Sequence, residues 1–127
     1  MTSAYDPLQP AQRPGSKPEI KPRYRVLVHK RFQRHWDELA ERVGLQQAQQ
    51  FWDHVSQNPG DPAPVASTCL LKGKAGKPAG EGWSRTVHYE VSGSARIDYQ
   101  FHDEYVTAPK KDKHRVVAIL TISFGSH

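Results

Sequence analysis

The cleanest alternation of apolar and polar positions in the chain runs from Arg96 to Phe101. Ile97, Tyr99 and Phe101 fall on one side, and Arg96, Asp98 and Gln100 on the other. A period of two over this length predicts a strand with one face on a core and the other left for water or a ligand. A second alternating run, Trp83 to Val91, precedes it. There Val87, Tyr89 and Val91 take the core side, and Thr86, His88 and Glu90 the other. Ser92-Gly93-Ser94 reads as the hairpin turn between the two runs. The last run, Val116 to Phe124, is apolar throughout, as a strand covered on both faces should be. These three strands are expected to form one antiparallel sheet whose polar face is the working surface.

Upstream the period changes. Tyr24 to His29 is a first strand, with Tyr24, Val26 and Val28 on one face. It leads into Lys30 to Val43, where Phe32, Trp36, Leu39, Ala40 and Val43 recur at helical spacing. Gly44 fits the left-handed position that closes a helix. A second helix, about Leu45 to Gln57, presents Leu45, Ala48, Trp52 and Val55 with Phe51 beside them. Two short amphipathic helices across a glycine make a helical hairpin. Trp36 and Trp52 belong to its buried stripes, and His35 and His54 lie beside them as surface residues.

The remainder is read from turn chemistry. Asn58 to Pro64 is a loop rich in proline and glycine, and Ser67 to Leu71 is a short strand. Lys72 to Gly82 is a flexible basic loop, and Asp103 to Lys113 a second polar loop. The fold class that follows is α+β, in the order β-α-α-β-β-β-β. A two-helix hairpin packs on one face of a small, mostly antiparallel sheet.

Composition adds bounds. The chain has 127 residues, enough for one modest core and an appendage. The appendage is residues 1–23, with Pro7, Pro10, Pro14, Pro18 and Pro22 and few large apolar side chains. Such a segment is expected to be a disordered, mildly basic arm. The formal charge of +5 favours an anionic partner. Cys69 is the sole cysteine, which excludes an internal disulfide and a cysteine zinc site. No stretch approaches the length of a membrane span, and the N-terminus is too polar for a signal peptide, so a cytoplasmic location is expected. No cofactor motif is present: the Lys72–Gly82 loop lacks the spacing and the Gly-Lys-Ser/Thr ending of a phosphate loop.

The polar face gathers Arg96, with His88 and Glu90 across the hairpin from it, Arg85 near the hairpin start, and His127 after the last strand. Arginine offers a planar donor fork that matches a phosphate. Histidine gives or takes a proton near neutral pH. RNA carries its own nucleophile, the 2′-hydroxyl. A metal-free ribonuclease therefore needs a base for that hydroxyl, an acid for the leaving 5′-oxygen and a cation for the charged phosphorane. His88 or Glu90, His127 and Arg96 are the candidates for those roles. Lys72, Lys74 and Lys77 are candidates for tracking the RNA backbone, alongside Arg85. Metal ligation is the rival use of the histidines, and scattered histidines without a carboxylate at ligand spacing make it weak. The plain alternative is that His88 and Glu90 only face solvent and that His127 is a frayed terminus.

Four segments resemble the RelE superfamily of bacterial toxins, the messenger-RNA interferases of toxin–antitoxin pairs. Leu70-Leu71-Lys72-Gly73 is similar to the step in the family's second strand. Gly82-Trp83-Ser84-Arg85 resembles the Trp-Ser-Arg entry of the YoeB branch. Arg96-Ile97-Asp98-Tyr99-Gln100-Phe101 resembles the Arg-Leu-Val-Tyr-Gln-Val strand. Ile122 to His127 resembles the last strand, where the family places a catalytic Arg or His just past the end. The resemblance spans roughly residues 24–127.

It implies ribosome-dependent cleavage of messenger RNA in the decoding site formed by 16S rRNA, without metal, by 2′-hydroxyl attack. It also implies restraint by an antitoxin protein. Arg96 then matches the phosphate-clamping arginine, His127 the terminal general acid and Arg85 the arginine of the entry motif. The chain departs from the pattern at the YoeB-like glutamate base. That residue should fall just before Leu71-Lys72, where Ser67, Thr68 and Cys69 stand, so His88 or Glu90 has to substitute. Two alternatives share the fold: a degenerate module that binds RNA or the ribosome without cutting, and a ParE-like inhibitor of gyrase.

Overall fold

The computed structural model describes residues 7–63, 67–92, 95–107 and 112–124. Six strands, two α-helices and two short 3-10 turns follow in the order β1 (Leu8–Pro10), β2 (Arg25–His29), a 3-10 turn, α1 (Gln33–Val43), α2 (Leu45–Gln57), β3 (Ser67–Leu70), a second 3-10 turn, β4 (Val87–Ser92), β5 (Ala95–Thr107) and β6 (Asp112–Phe124). They make one mixed sheet in the order β1-β2-β6-β5-β4-β3. Strand β2 runs parallel to β6, and every other neighbouring pair is antiparallel. The fold is α+β, with the helical hairpin on one face of the sheet. No helix among the described residues is long and apolar enough to cross a membrane.

The hairpin forms where the helical spacing places it. Trp36 and Leu39 of α1, and Ala48, Phe51, Trp52 and Val55 of α2, are buried. Gly44 separates the helices at φ +96°, a conformation that costs glycine no steric penalty. Phe51 is the hub. Its ring meets Tyr89 edge-on at 4.9 Å and Tyr99 at 6.0 Å, which ties α2 to β4 and β5. Burial of such a ring stabilises by about 1.5–3 kcal/mol, with a further increment for edge-to-face geometry. Leu45, expected in the stripe, is instead 47% exposed, because it opens the helix ahead of the packed turns.

Three sequence expectations need correction. The first concerns the arm. Leu8–Pro10 form β1, which pairs with β2, and Leu8 and Ala11 are buried, so this part of the arm is not free. The tryptophan indoles supply the reason. Trp36 donates to the Gln12 carbonyl at 3.1 Å and Trp52 to the Ala11 carbonyl at 2.8 Å. A bidentate pair of Arg13 with Asp53, at 2.7 and 3.0 Å, fixes the segment to α2.

The second concerns the stretch from Trp83. The strand begins only at Val87, and Trp83 makes a single isolated bridge to His102. Gly82, at φ +85°, lies directly under the His102 ring, where an added Cβ would collide with it. That approach turns the chain away from the ladder before Val87.

The third concerns the expected polar loop from Asp103 to Lys113. Most of it is strand, because Tyr105, Val106 and Thr107 of β5 pair with His114, Lys113 and Asp112 of β6. Aromatic and β-branched residues suit that extended ribbon. The Ser92-Gly93-Ser94 turn and His127 lie wholly or partly outside the described residues.

Candidate active site on the open sheet face

The face of the sheet opposite the helices carries the polar alternates of β4, β5 and β6. Cross-strand register arranges them in two adjacent rows. In one, Glu90 of β4 stands opposite Arg96 of β5, which stands opposite Ser123 of β6. In the other, Cys69, His88, Asp98 and Thr121 follow one another across β3, β4, β5 and β6.

The second row is bonded. His88 Nδ1 lies 2.6 Å from Asp98 Oδ1, and the Thr121 hydroxyl donates to Asp98 Oδ2 at 3.0 Å. Both carboxylate oxygens are therefore engaged. His88 and Asp98 are each about three-quarters covered, at 24% and 25% side-chain exposure. A carboxylate on Nδ1 places the ring proton there and leaves the Nε2 lone pair as acceptor. That is the form of histidine required of a general base.

A bulge in β6 makes the row possible. The register steps from Thr121 opposite Asp98 to Ile119 opposite Tyr99, so Leu120 is the extra residue. Without it the alternation that puts Val117 and Ile119 on the core would also put Thr121 there. With it, Ile122 is buried in the core and Thr121 reaches Asp98 on the open side.

In the first row, Arg96 Nε and Glu90 Oε1 lie 3.9 Å apart, with 31% and 43% of the side chains exposed. The contact is an ion pair, too long for a hydrogen bond. It orients the guanidinium while leaving its donor fork for another acceptor. Diagonal neighbours on one sheet face are about 7–8 Å apart. His88 and Arg96 have that relation, which suits a base and a cation on either side of one phosphate.

The lysine loop borders the site because Gln100 holds it. Gln100 lies two residues beyond Asp98 on the same face, about 7 Å along the strand, and is buried. Its Oε1 accepts from Ala79 N–H at 2.8 Å, and its Nε2 donates to the Lys77 carbonyl and the Thr86 hydroxyl, each at 2.9 Å. The loop expected to be flexible is thus pinned, with a 3-10 turn at Gly73–Gly76. Lys72, Lys74 and Lys77 are exposed on it.

Arg85 has a structural use. Its Nε and Nη2 donate to the Leu71 carbonyl at 3.2 and 3.0 Å, and Nη2 also to the Gly73 carbonyl at 2.9 Å. Its fork closes the start of the loop instead of standing open for RNA.

The structure thus brings together Arg96, Glu90 and His88, anchors the loop that carries Lys72, Lys74 and Lys77 at Gln100, two residues beyond Asp98, and commits Arg85 to the start of that loop. His127 lies outside the described residues. Asp98 and Thr121 are the site residues that sequence reasoning missed. Alternation had put Asp98 on the polar face, but its pairing with His88 depends on the hairpin register. Thr121 was hidden by a bulge within an apolar run.

Comparison with known proteins gives no match: no family model fits the chain, and no curated protein or solved structure is detectably similar to it.

Proposed function

We propose that this chain is an endoribonuclease that cuts messenger RNA on the ribosome, by attack of the 2′-hydroxyl on the adjacent phosphorus. The observation that carries this reading is the Thr121–Asp98–His88 chain of contacts set diagonally beside Arg96 on an open face. In the reaction, His88 Nε2 takes the 2′-hydroxyl proton, while Asp98 stabilises the imidazolium that forms. The 2′-oxygen bonds to phosphorus as the 5′-oxygen departs. The products are a 2′,3′-cyclic phosphate and a 5′-hydroxyl. The proton for the leaving oxygen is assigned to His127 by resemblance. Arg96 neutralises the charge that grows on the phosphorane. Glu90 then serves to orient Arg96, and His88 is the base.

The element order supports a RelE-like topology, since one strand, a helical hairpin and four strands follow one another from Arg25 to Phe124. The ribosome as the setting, 16S rRNA at the decoding site and an antitoxin as the restraining partner belong to the same reading and rest on the resemblance of the four segments. The test is to add the purified chain to a translating extract and map 5′ ends on a reporter message, beside Arg96→Ala. Codon-phased cuts bearing 5′-hydroxyl ends, lost in the variant, are expected. An intact message with slowed translation would overturn cleavage in favour of binding alone.

A further inference from the structure

A large concavity lies away from the polar rows, at the opposite end of β6. It is an open cleft of about 840 Å³ between the segment from Pro10 to Leu27 and the paired stretches of β5 and β6. Its lining includes Lys21, Arg23, Arg25, Lys113 and Arg115. All five are exposed. Two carboxylates share the lining, Asp103 and Glu104. Asp103 accepts from the Tyr24 hydroxyl at 2.5 Å, and Glu104 stands 4.0 Å from Lys113 in a loose surface pair. Cations outnumber anions there, and the two arginines Arg23 and Arg115 lie close enough to act electrostatically on the same Tyr24 phenol.

We propose that this cleft is a second nucleic-acid contact, which holds the phosphodiester backbone of a single RNA strand outside the segment cut at His88. The proposal rests on the ribonuclease reading above. The shape favours a strand over a compact ligand. The cations are spread along an open trough and do not converge on an enclosed pocket, and several are arginines, whose forks match phosphate oxygens. Arg115 shares the core-facing side of β6 with Val117 and Ile119, and Tyr24, Val26 and Trp52 line the same cleft, so the trough opens on the helix side of the sheet and takes RNA that flanks the cut segment. The arm builds one wall of the trough, and the end of α2 fixes it there: Gln57 Nε2 donates to the Lys21 carbonyl at 2.7 Å, and the Arg23 N–H donates to the Ser56 carbonyl at 2.8 Å.

The test measures fluorescence anisotropy of a labelled 12-nucleotide single-stranded RNA with the full chain across a salt series. Arg23→Glu/Arg115→Glu is compared with Arg34→Glu, a charge reversal on the exposed side of α1. His88→Gln is included to separate binding from cleavage. The double variant is expected to bind at least tenfold more weakly, with a salt slope lower by about 1.4, the contribution of two single-strand phosphate contacts. Arg34→Glu is expected to bind as the wild type does. Equal weakening by Arg34→Glu, or no weakening in a double variant that unfolds at the wild-type temperature, would overturn the proposal. Displacement of the RNA by millimolar nucleoside triphosphate through the same two arginines would also overturn it, in favour of a nucleotide site. Cleavage by His88→Gln at the wild-type rate, with RNA binding still lost in the double variant, would sink the ribonuclease assignment and leave the trough standing, so the two readings fail separately.

Discussion

Asp98 stands directly opposite His88 across the β4–β5 hairpin and holds its Nδ1 at 2.6 Å. The carboxylate is itself fixed by the Thr121 hydroxyl from the third strand. Three strands therefore fix one imidazole, and the ring's other nitrogen is the one left to work.

Asp98→Asn keeps the size of this group and removes its charge. An amide can donate to Nδ1, which drives the ring into the tautomer that carries its proton on Nε2 and blocks the base. Cleavage should fall on the order of 10²–10⁴-fold. Thermal unfolding should move little, since the pair is partly exposed. Timed cleavage of a ribosome-bound message beside a melting curve checks both. Unchanged cleavage would mean that Asp98 does not set the tautomer.

Gln100 is a second fixed point, because three partners converge on one buried amide. Gln100→Leu fits the volume and satisfies none of them. It should destabilise the fold by about 1–3 kcal/mol. It should also free the Lys72–Lys77 loop, read as faster hydrogen exchange at the Ala79 amide. A stable variant with Ala79 still protected would show that the loop is held by other means.

Much of the fold was legible because its signals are local. Ile97 and Tyr99 of the alternating run and Trp36 and Leu39 of the helical stripe are buried as expected, with Phe101 partly buried against them. Gly44 marks its own turn. What escaped depends on partners remote in sequence. Leu8–Pro10 has no strand signature of its own. It is ordered because Trp36 and Trp52, whose burial was expected, carry indole N–H groups that need acceptors, and the carbonyls of Ala11 and Gln12 provide them. Arg85 looked like an open cation until the turn of the chain at Leu71 placed carbonyls against it. The site divides the same way. Arg96, His88 and Glu90 were visible as polar alternates, whereas Asp98 and Thr121 acquire their roles only from register.

The buried tyrosines make the fold sensitive to alkali. Burial pushes the Tyr89 phenol up to about 12 from its usual 10. Burial, helped by the hydrogen bond to Asp103, does the same to Tyr24. A phenol whose pKa is raised on folding stabilises the fold fully below pH 10, its ordinary pKa. That contribution is lost as pH rises towards 12, because the unfolded chain ionises first. For Tyr89, which is 2% exposed, the loss is about 2–3 kcal/mol. Urea midpoints should therefore drop between pH 10 and 12, and Tyr89→Phe should flatten the decline. An equal decline in the variant would place its origin elsewhere.

The most direct test of the account is the cleavage rate of His88→Gln on a ribosome-bound message, measured beside the wild type. Glutamine keeps a polar side chain opposite Asp98 and cannot take the 2′-hydroxyl proton. The account predicts a fall of about 10²-fold or more, with the cut sites unchanged in what remains. Cleavage at the wild-type rate would contradict it, because the Asp98–His88 pair would then be a structural contact and the base would have to be found elsewhere.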